Sequence, residues 1–178
     1  SPAAAAEAGG SAGRQDMTAT AGDPAPDLIV RPLSYDDPVV RALEAELQAE
    51  YVARYGGEDE TPVGDGQFDP PDGLFLVGFL GSEPVASGGF RRYDEDVAEI
   101  KRMYVVEDHR GIGLARRLLH ELESRAAQAG YARAVLMTGL AQPEAIALYQ
   151  SSGYQLIEPF GPYKDSDLVR CFGKDLKR

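Results

Sequence analysis

Glu99-Ile100-Lys101-Arg102-Met103-Tyr104-Val105, then four residues, then Arg110-Gly111-Ile112-Gly113-Leu114-Ala115, is the stretch whose reading decides the fold. Val97 to Val106 reads as a strand. Gly113 to Ala129 reads as a helix, because Leu114, Leu118, Leu122 and Ala126 recur at four-residue steps and Gly130 supplies a stop. Between them lies a glycine turn. A helix N-terminus leaves backbone N–H groups unpaired at the positive end of the dipole, so it attracts phosphate-type anions. Glycines at 111 and 113 let the backbone come close to such an anion. The turn is therefore a candidate pyrophosphate cradle, and a tight strand-to-helix turn would use the same residues. A dinucleotide fingerprint would need a third small residue where Arg116 stands, and a P-loop would need Gly-Lys-Ser/Thr, which is missing.

Working outward, Leu74–Leu80, the turn Gly81-Ser82-Glu83-Pro84 and Val85–Tyr93 read as a hairpin. Asp94-Glu95-Asp96 then turns the chain into the strand at Val97, which gives a three-stranded meander. Upstream, Leu28–Pro32 suits an edge strand. Pro38, after the acidic pair Asp36-Asp37, opens a helix to about Tyr55, with Val39, Val40, Leu43, Leu47 and Tyr51 at helical spacing. Gly56 to Gly73 is a Gly/Pro/Asp-rich loop, functional or simply solvated. Downstream, Ala132–Thr138 is reached through a helix and so is expected parallel to the strand before it. Pro143 opens a helix over Glu144–Ser152, Gly153 closes it, and Tyr154–Ile157 and Leu168–Phe172 are the last strands. The order predicts an α+β fold, a mixed and mostly antiparallel central sheet flanked by helices, over residues 28–178. Residues 1–27, rich in Ala, Gly, Pro, Ser and Thr without periodicity, read as a flexible tail.

Composition excludes several classes. The 178 residues carry 18 Lys+Arg against 29 Asp+Glu, a net charge of −11, which argues against nucleic acid as partner. The single cysteine and two histidines supply neither a disulfide framework nor a metal centre. Apolar runs such as Leu74–Leu80 are too short to cross a bilayer, and the start lacks the basic and apolar regions of a secretory signal, so a cytoplasmic address is the default.

Arg110-x-x-Gly113-x-Ala115 after the strand at Glu99–Val105, followed by Ala145-x-x-Leu148-Tyr149-x-x-x-Gly153-Tyr154, resembles the GNAT superfamily of acetyl-CoA-dependent N-acetyltransferases. The likeness covers about Leu28 to Leu176. It implies that acetyl-CoA is the co-substrate, with the amides of Arg110, Gly111, Ile112, Gly113, Leu114 and Ala115 on its diphosphate. Met103, Tyr104 and Val105 would pair with the pantetheine arm, and Arg116 would either face a phosphate or lie solvated. It also implies Tyr149 as the acid facing the departing thiolate and Glu99 as the base, direct or through a water. Glu99 instead reads equally well as an ion-paired partner of Lys101 and Arg102. Gln142 stands where many members have asparagine, which puts that one cofactor contact in question. On a strand, Glu99, Lys101 and Met103 share one face, so the glutamate points along the face that bears a cofactor-adjacent residue.

The acceptor pocket of this fold is expected from the first helix, its loop and the last two strands, here Glu50, Tyr51, Tyr55, the acidic loop and Phe160-Gly161-Pro162-Tyr163. A small cationic amine or a protein amine is the expected acceptor, and a monomer or homodimer the expected state. Lys101, Arg102, Arg110, Arg116 and Arg117 would form a basic cofactor edge opposite an acidic acceptor side. The rival readings are a non-catalytic acyl-CoA-binding or sensor module and a nucleotide-binding regulator.

Overall fold

The computed structural model describes residues 27–177, so the proposed tail lies almost entirely outside the described residues. The elements follow in the order β1 (Leu28–Pro32), α1 (Pro38–Tyr55), β2 (Leu74–Leu80), β3 (Glu83–Asp94), β4 (Val97–Val105), α2 (Leu114–Gln128), β5 (Arg133–Gly139), α3 (Pro143–Ser151), β6 (Gln155–Ile157) and β7 (Val169–Asp175). Local chemistry sets the helix ends. The Asp37 carboxylate accepts from the Val39 amide at 2.8 Å, with Pro38 in the first turn, and α1 stops at Gly56 in the left-handed conformation, φ 77°.

The seven strands form one sheet in the order β1-β2-β3-β4-β5-β7-β6. Every neighbouring pair is antiparallel except β4 and β5, the parallel pair expected from the helical crossover. That pairing is short. It joins Val97 to Arg133, Ala98 to Ala134 and Glu99 to Val135, after which the two strands part. The sheet face toward α2 buries Leu76, Phe90 and Ile100 against Leu118 and Leu122. The face toward α1 buries Phe75, Val77 and Tyr104 against Val40, Leu43 and Leu47. Leu76 between Phe75 and Val77 follows the pleat, in which alternate residues take opposite faces.

One expectation about β4 is overturned. Arg102 takes φ 63°, and the register slips between Ser87, opposite Tyr104, and Gly89, opposite Lys101. This bulge adds a residue to β4 and breaks its alternation. Met103 consequently packs in the α2-side core, where a Cβ on Gly88 would meet its Sδ at 2.7 Å. Glu99 and Lys101 face the loop after α1 instead, through Arg91 and Asp59. Glu99, Lys101 and Met103 do not share a face.

Candidate active site

The parting of β4 and β5 opens a cavity of about 470 Å³. Beyond Glu99, β4 has no strand partner on its β5 side, and residues Ile100 to Val105 line the space. At one end lies the glycine turn. Gly111 and Gly113 have φ 82° and 88°, and a Cβ on either would meet no atom within 4 Å. Gly113 is the N-cap of α2 and brings no side-chain acceptor to the first-turn amides. That turn holds no acid; it holds Arg116 and Arg117, cations at the positive end of a dipole. Such local inconsistency is resolved when an anion sits at the helix start, so the residues present fit a diphosphate.

Among the predicted cofactor residues, Met103, Tyr104, Val105, Arg110, Gly111, Gly113, Leu114, Ala115, Arg116 and Gln142 all line this cavity. Ile112 does not; it is 40% exposed and outside the lining, which leaves its amide for the turn. Arg110 is already engaged, with Nε donating to the Val105 carbonyl at 2.9 Å and a terminal nitrogen 2.7 Å from Glu50. Glu50 lies 3.7 Å from Arg54, which pairs with Glu144 at 2.9 Å. This chain of charges ties α1 to the glycine turn and to α3. Arg116 donates to the Ser151 and Ser152 hydroxyls at 2.7 and 3.1 Å, fastening the start of α2 to the end of α3.

Tyr149 and Glu99, the two candidate catalytic residues, both line the cavity. Tyr149, 6% exposed, sits on α3 with its ring edge-on to Tyr154 at 5.8 Å. Burial holds its phenol well above the ordinary value, so it stays protonated and available as a donor. Glu99 is less free. Its Oε1 accepts from Arg91 Nε at 2.9 Å, and Arg91 in turn donates to the Pro62 carbonyl and to Gln67. Oε2, 4.0 Å from Lys101 Nζ, is the oxygen left for other partners.

The expected basic edge is not assembled as the sequence suggested. Lys101 and Arg102 side chains, 6% and 5% exposed, lie among acids from α1 and its loop: both come within 3.6 Å of Asp59, and Arg102 within 3.6 Å of Glu44. They neutralise buried carboxylates rather than extending the glycine-turn cations. Burial works against the Asp59 carboxylate, but Lys101, the Thr61 hydroxyl and Arg102 outweigh it and hold Asp59 below the usual carboxylate range. Burial likewise lowers Lys101, only partly offset by Asp59 and Glu99. Arg117 pairs along its own helix with Glu121.

A second cavity, about 400 Å³, adjoins the first and shares Tyr51, Asp59, Met137, Thr138 and Gln142 with it. Tyr55 and Tyr163 complete its wall as expected, but Phe160 does not reach it, packing on Tyr93 at 5.0 Å, and Glu50 belongs to the first cavity. Gln142 marks the boundary, its Oε1 accepting from the Tyr55 hydroxyl at 3.2 Å. Gly139 lies against it, and a Cβ there would displace the tip of the Tyr55 side chain. Asp59, Met137 and Thr138 were not singled out from sequence. The signal for Asp59 was only its place in the acidic loop, and Met137 and Thr138 read simply as the end of a strand.

The model of the acetyltransferase (GNAT) family matches residues 40–154, well over half of the chain and including the glycine turn, the parted strands and Tyr149. The chain belongs to that family. This GNAT acetyltransferase is 35% identical over 149 residues to the IAA acetyltransferase of Azospirillum brasilense, covering 83% of this chain and 97% of the relative. It is 30% identical over 132 residues to the uncharacterized N-acetyltransferase YjgM of Escherichia coli, covering 69% and 78%. A solved Klebsiella pneumoniae structure, described as an acyl-CoA N-acyltransferase, superposes with TM-score 0.74 at 30% identity over 85% of this chain and 99% of that one. A GNAT acetyltransferase from Elizabethkingia anophelis, solved with acetyl-CoA bound, shares the fold with TM-score 0.62 at 17% identity over 85% and 99%. The enzyme is thus an acyltransferase of a family that uses acetyl-CoA. No helix among the described residues is long and apolar enough to cross a membrane, and none of their His, Cys, Asp and Glu side chains group as a metal site.

Proposed function

We propose that this enzyme transfers the acetyl group of acetyl-CoA to the nitrogen of a primary amine, with the acceptor entering through the second cavity. The observation that carries this reading is the pair of adjoining cavities: the first is lined by Tyr149 and the anion-ready helix start, and the second shares Tyr51, Asp59, Met137, Thr138 and Gln142 with it. When bound, acetyl-CoA supplies a thioester carbonyl open to attack by a neutral amine. Amides of residues 111–115 hold the diphosphate, and the unpaired edge of β4 at Met103–Val105 together with the Gln142 side chain orients the pantetheine arm. A backbone N–H near Val105 polarises the carbonyl oxygen.

An alkylamine with pKa about 10 is almost wholly protonated at neutral pH, so a base must take its proton. Glu99 Oε2 does this through a water, while Arg91 fixes the carboxylate from the other side. Tyr149 donates a hydrogen bond to the leaving sulfur. A phenol is less acidic than a thiol, and burial raises it further, so stabilisation of the developing thiolate outweighs full proton transfer.

The test is calorimetric titration with acetyl-CoA followed by release of free thiol against an amine panel. Micromolar binding and amine-dependent release are expected. Absence of acetyl-CoA binding, or binding without release for any amine, would overturn the proposal; the latter is the outcome for a non-catalytic sensor.

A further inference from the structure

The chemistry of the second cavity's wall narrows the acceptor. The charged side chains lining it are Glu58, Asp59 and Glu60, with no Lys, Arg or His among its lining residues. A carboxylate entering here would meet like charge without a counter-ion, whereas an ammonium is drawn in. The rest of the wall sets three tyrosines and apolar side chains beside the polar Thr138, Gln142 and Ser166. Tyr51 and Tyr55 stand with ring centroids 6.3 Å apart at 57°. The Tyr55 hydroxyl is committed to Gln142, and the Tyr163 hydroxyl accepts from the Glu60 amide at 2.9 Å. Each hydroxyl thus already has one partner within the protein, and Met137 and Leu168 add to the apolar lining. Tyrosine faces attract both aromatic rings and cations.

At the inner end the environment changes. Asp59 there accepts from the Thr61 hydroxyl at 2.6 Å and has Lys101 and Arg102 each 3.6 Å from its other oxygen. The charge of Asp59 is balanced there by the two buried cations, so the pull on an incoming ammonium comes from Glu58 and Glu60 at the rim and weakens toward the inner end.

From this wall, and resting on the proposed amine acetylation, we infer that the acceptor is an arylalkyl primary amine: one amino group on a short chain, an aromatic or apolar body, and no acidic group. The body lies among Tyr51, Tyr55 and Tyr163, and the amino group points toward Asp59. A polyamine fits less well, because it carries no ring or apolar body to pack against the three tyrosines. Peptide lysines would leave the aromatic wall unfilled.

The experiment is a steady-state comparison of tryptamine with tryptophan, phenethylamine with phenylalanine, and both amines with spermidine and a lysine peptide, acetyl-CoA being saturating. Each decarboxylated amine should exceed its amino acid in kcat/KM by at least about tenfold, and should exceed spermidine and the peptide by a similar factor. Leu168→Lys, at a side chain already 58% exposed, adds the missing cation and should narrow the tryptamine-to-tryptophan ratio at least about fivefold. Equal or better turnover of the amino acids, of spermidine or of the peptide overturns the inference and leaves amine acetylation standing, as does a ratio that Leu168→Lys leaves unchanged. No turnover of any amine overturns both.

Discussion

Substituting Gly113 by alanine separates what the glycine turn does for folding from what it does for the cofactor. Gly113 has φ 88°, and a Cβ there meets nothing within 4 Å, so the free protein bears only the cost of a left-handed L-residue, about 1–2 kcal/mol. At about 2–4 °C per kcal/mol for a domain of this size, the melting temperature should fall by about 2–8 °C. Gly153 is the matched control. Its φ is 91° and the nearest atom to an added Cβ is Lys174 Cε at 3.7 Å, an ordinary contact outside both cavities. Gly153→Ala should show the same thermal loss and no change in acetyl-CoA binding. Gly113→Ala should in addition hold the diphosphate away from one amide. A hydrogen bond to a charged group contributes about 1.5–3 kcal/mol, so Kd for acetyl-CoA should rise about 10- to 150-fold. Titration calorimetry and thermal melts on the two variants decide it. Equal acetyl-CoA affinity in both, with equal loss of melting temperature, would refute the cradle.

Tyr149→Phe should leave acetyl-CoA affinity unchanged and lower kcat at least about tenfold, the loss of one strong hydrogen bond to developing charge; a kcat within twofold of wild type sinks that role. Glu99→Gln should lower kcat/KM about 100-fold, and a value within about threefold of wild type would assign the base elsewhere. Asp59, held below the ordinary carboxylate range in the folded state, contributes stability that is present above about pH 4 and lost as pH falls through its folded value. Denaturant titrations of wild type and Asp59→Asn should therefore differ most near neutrality and converge as pH falls below about 4; a constant difference through that fall would be evidence against the linkage.

Much of this fold is written locally. Asp37-Pro38 and Gly56 bound α1 because capping and left-handed termination depend on those residues alone, and the Leu114-to-Ala126 spacing announces the buried stripe of α2. The placement of β7 between β5 and β6 is not local. A short strand chooses its neighbours by long-range pairing that no periodicity records. The glycine turn was legible for the same reason as α1, since the positive φ that makes a cradle demands glycine. The bulge at Arg102 turns that side chain off the regular pleat, whereas Lys101 keeps the face of Glu99 and is taken up by Asp59 from the loop, a partner that strand periodicity does not show. Gly88-Gly89 inside β3 is the sequence trace of that bulge, glycines being where one backbone closely approaches another. Asp59 carried no trace, because a loop acid acquires meaning only from the two buried cations that reach it.

The bulge also fixes the length of β4 against evolutionary drift. Met103 belongs to the core under α2 and Tyr104 to the core under α1, and one inserted residue at Arg102 is what sends them there. Deleting or adding a single residue between Lys101 and Met103 would exchange the two side chains between cores of different shape and turn the unpaired edge of the strand by one peptide. The segment therefore tolerates changes of letter but not of count, and descendants of this chain should vary in length in the loop at 56–73 while holding the spacing from Glu99 to Arg110 constant.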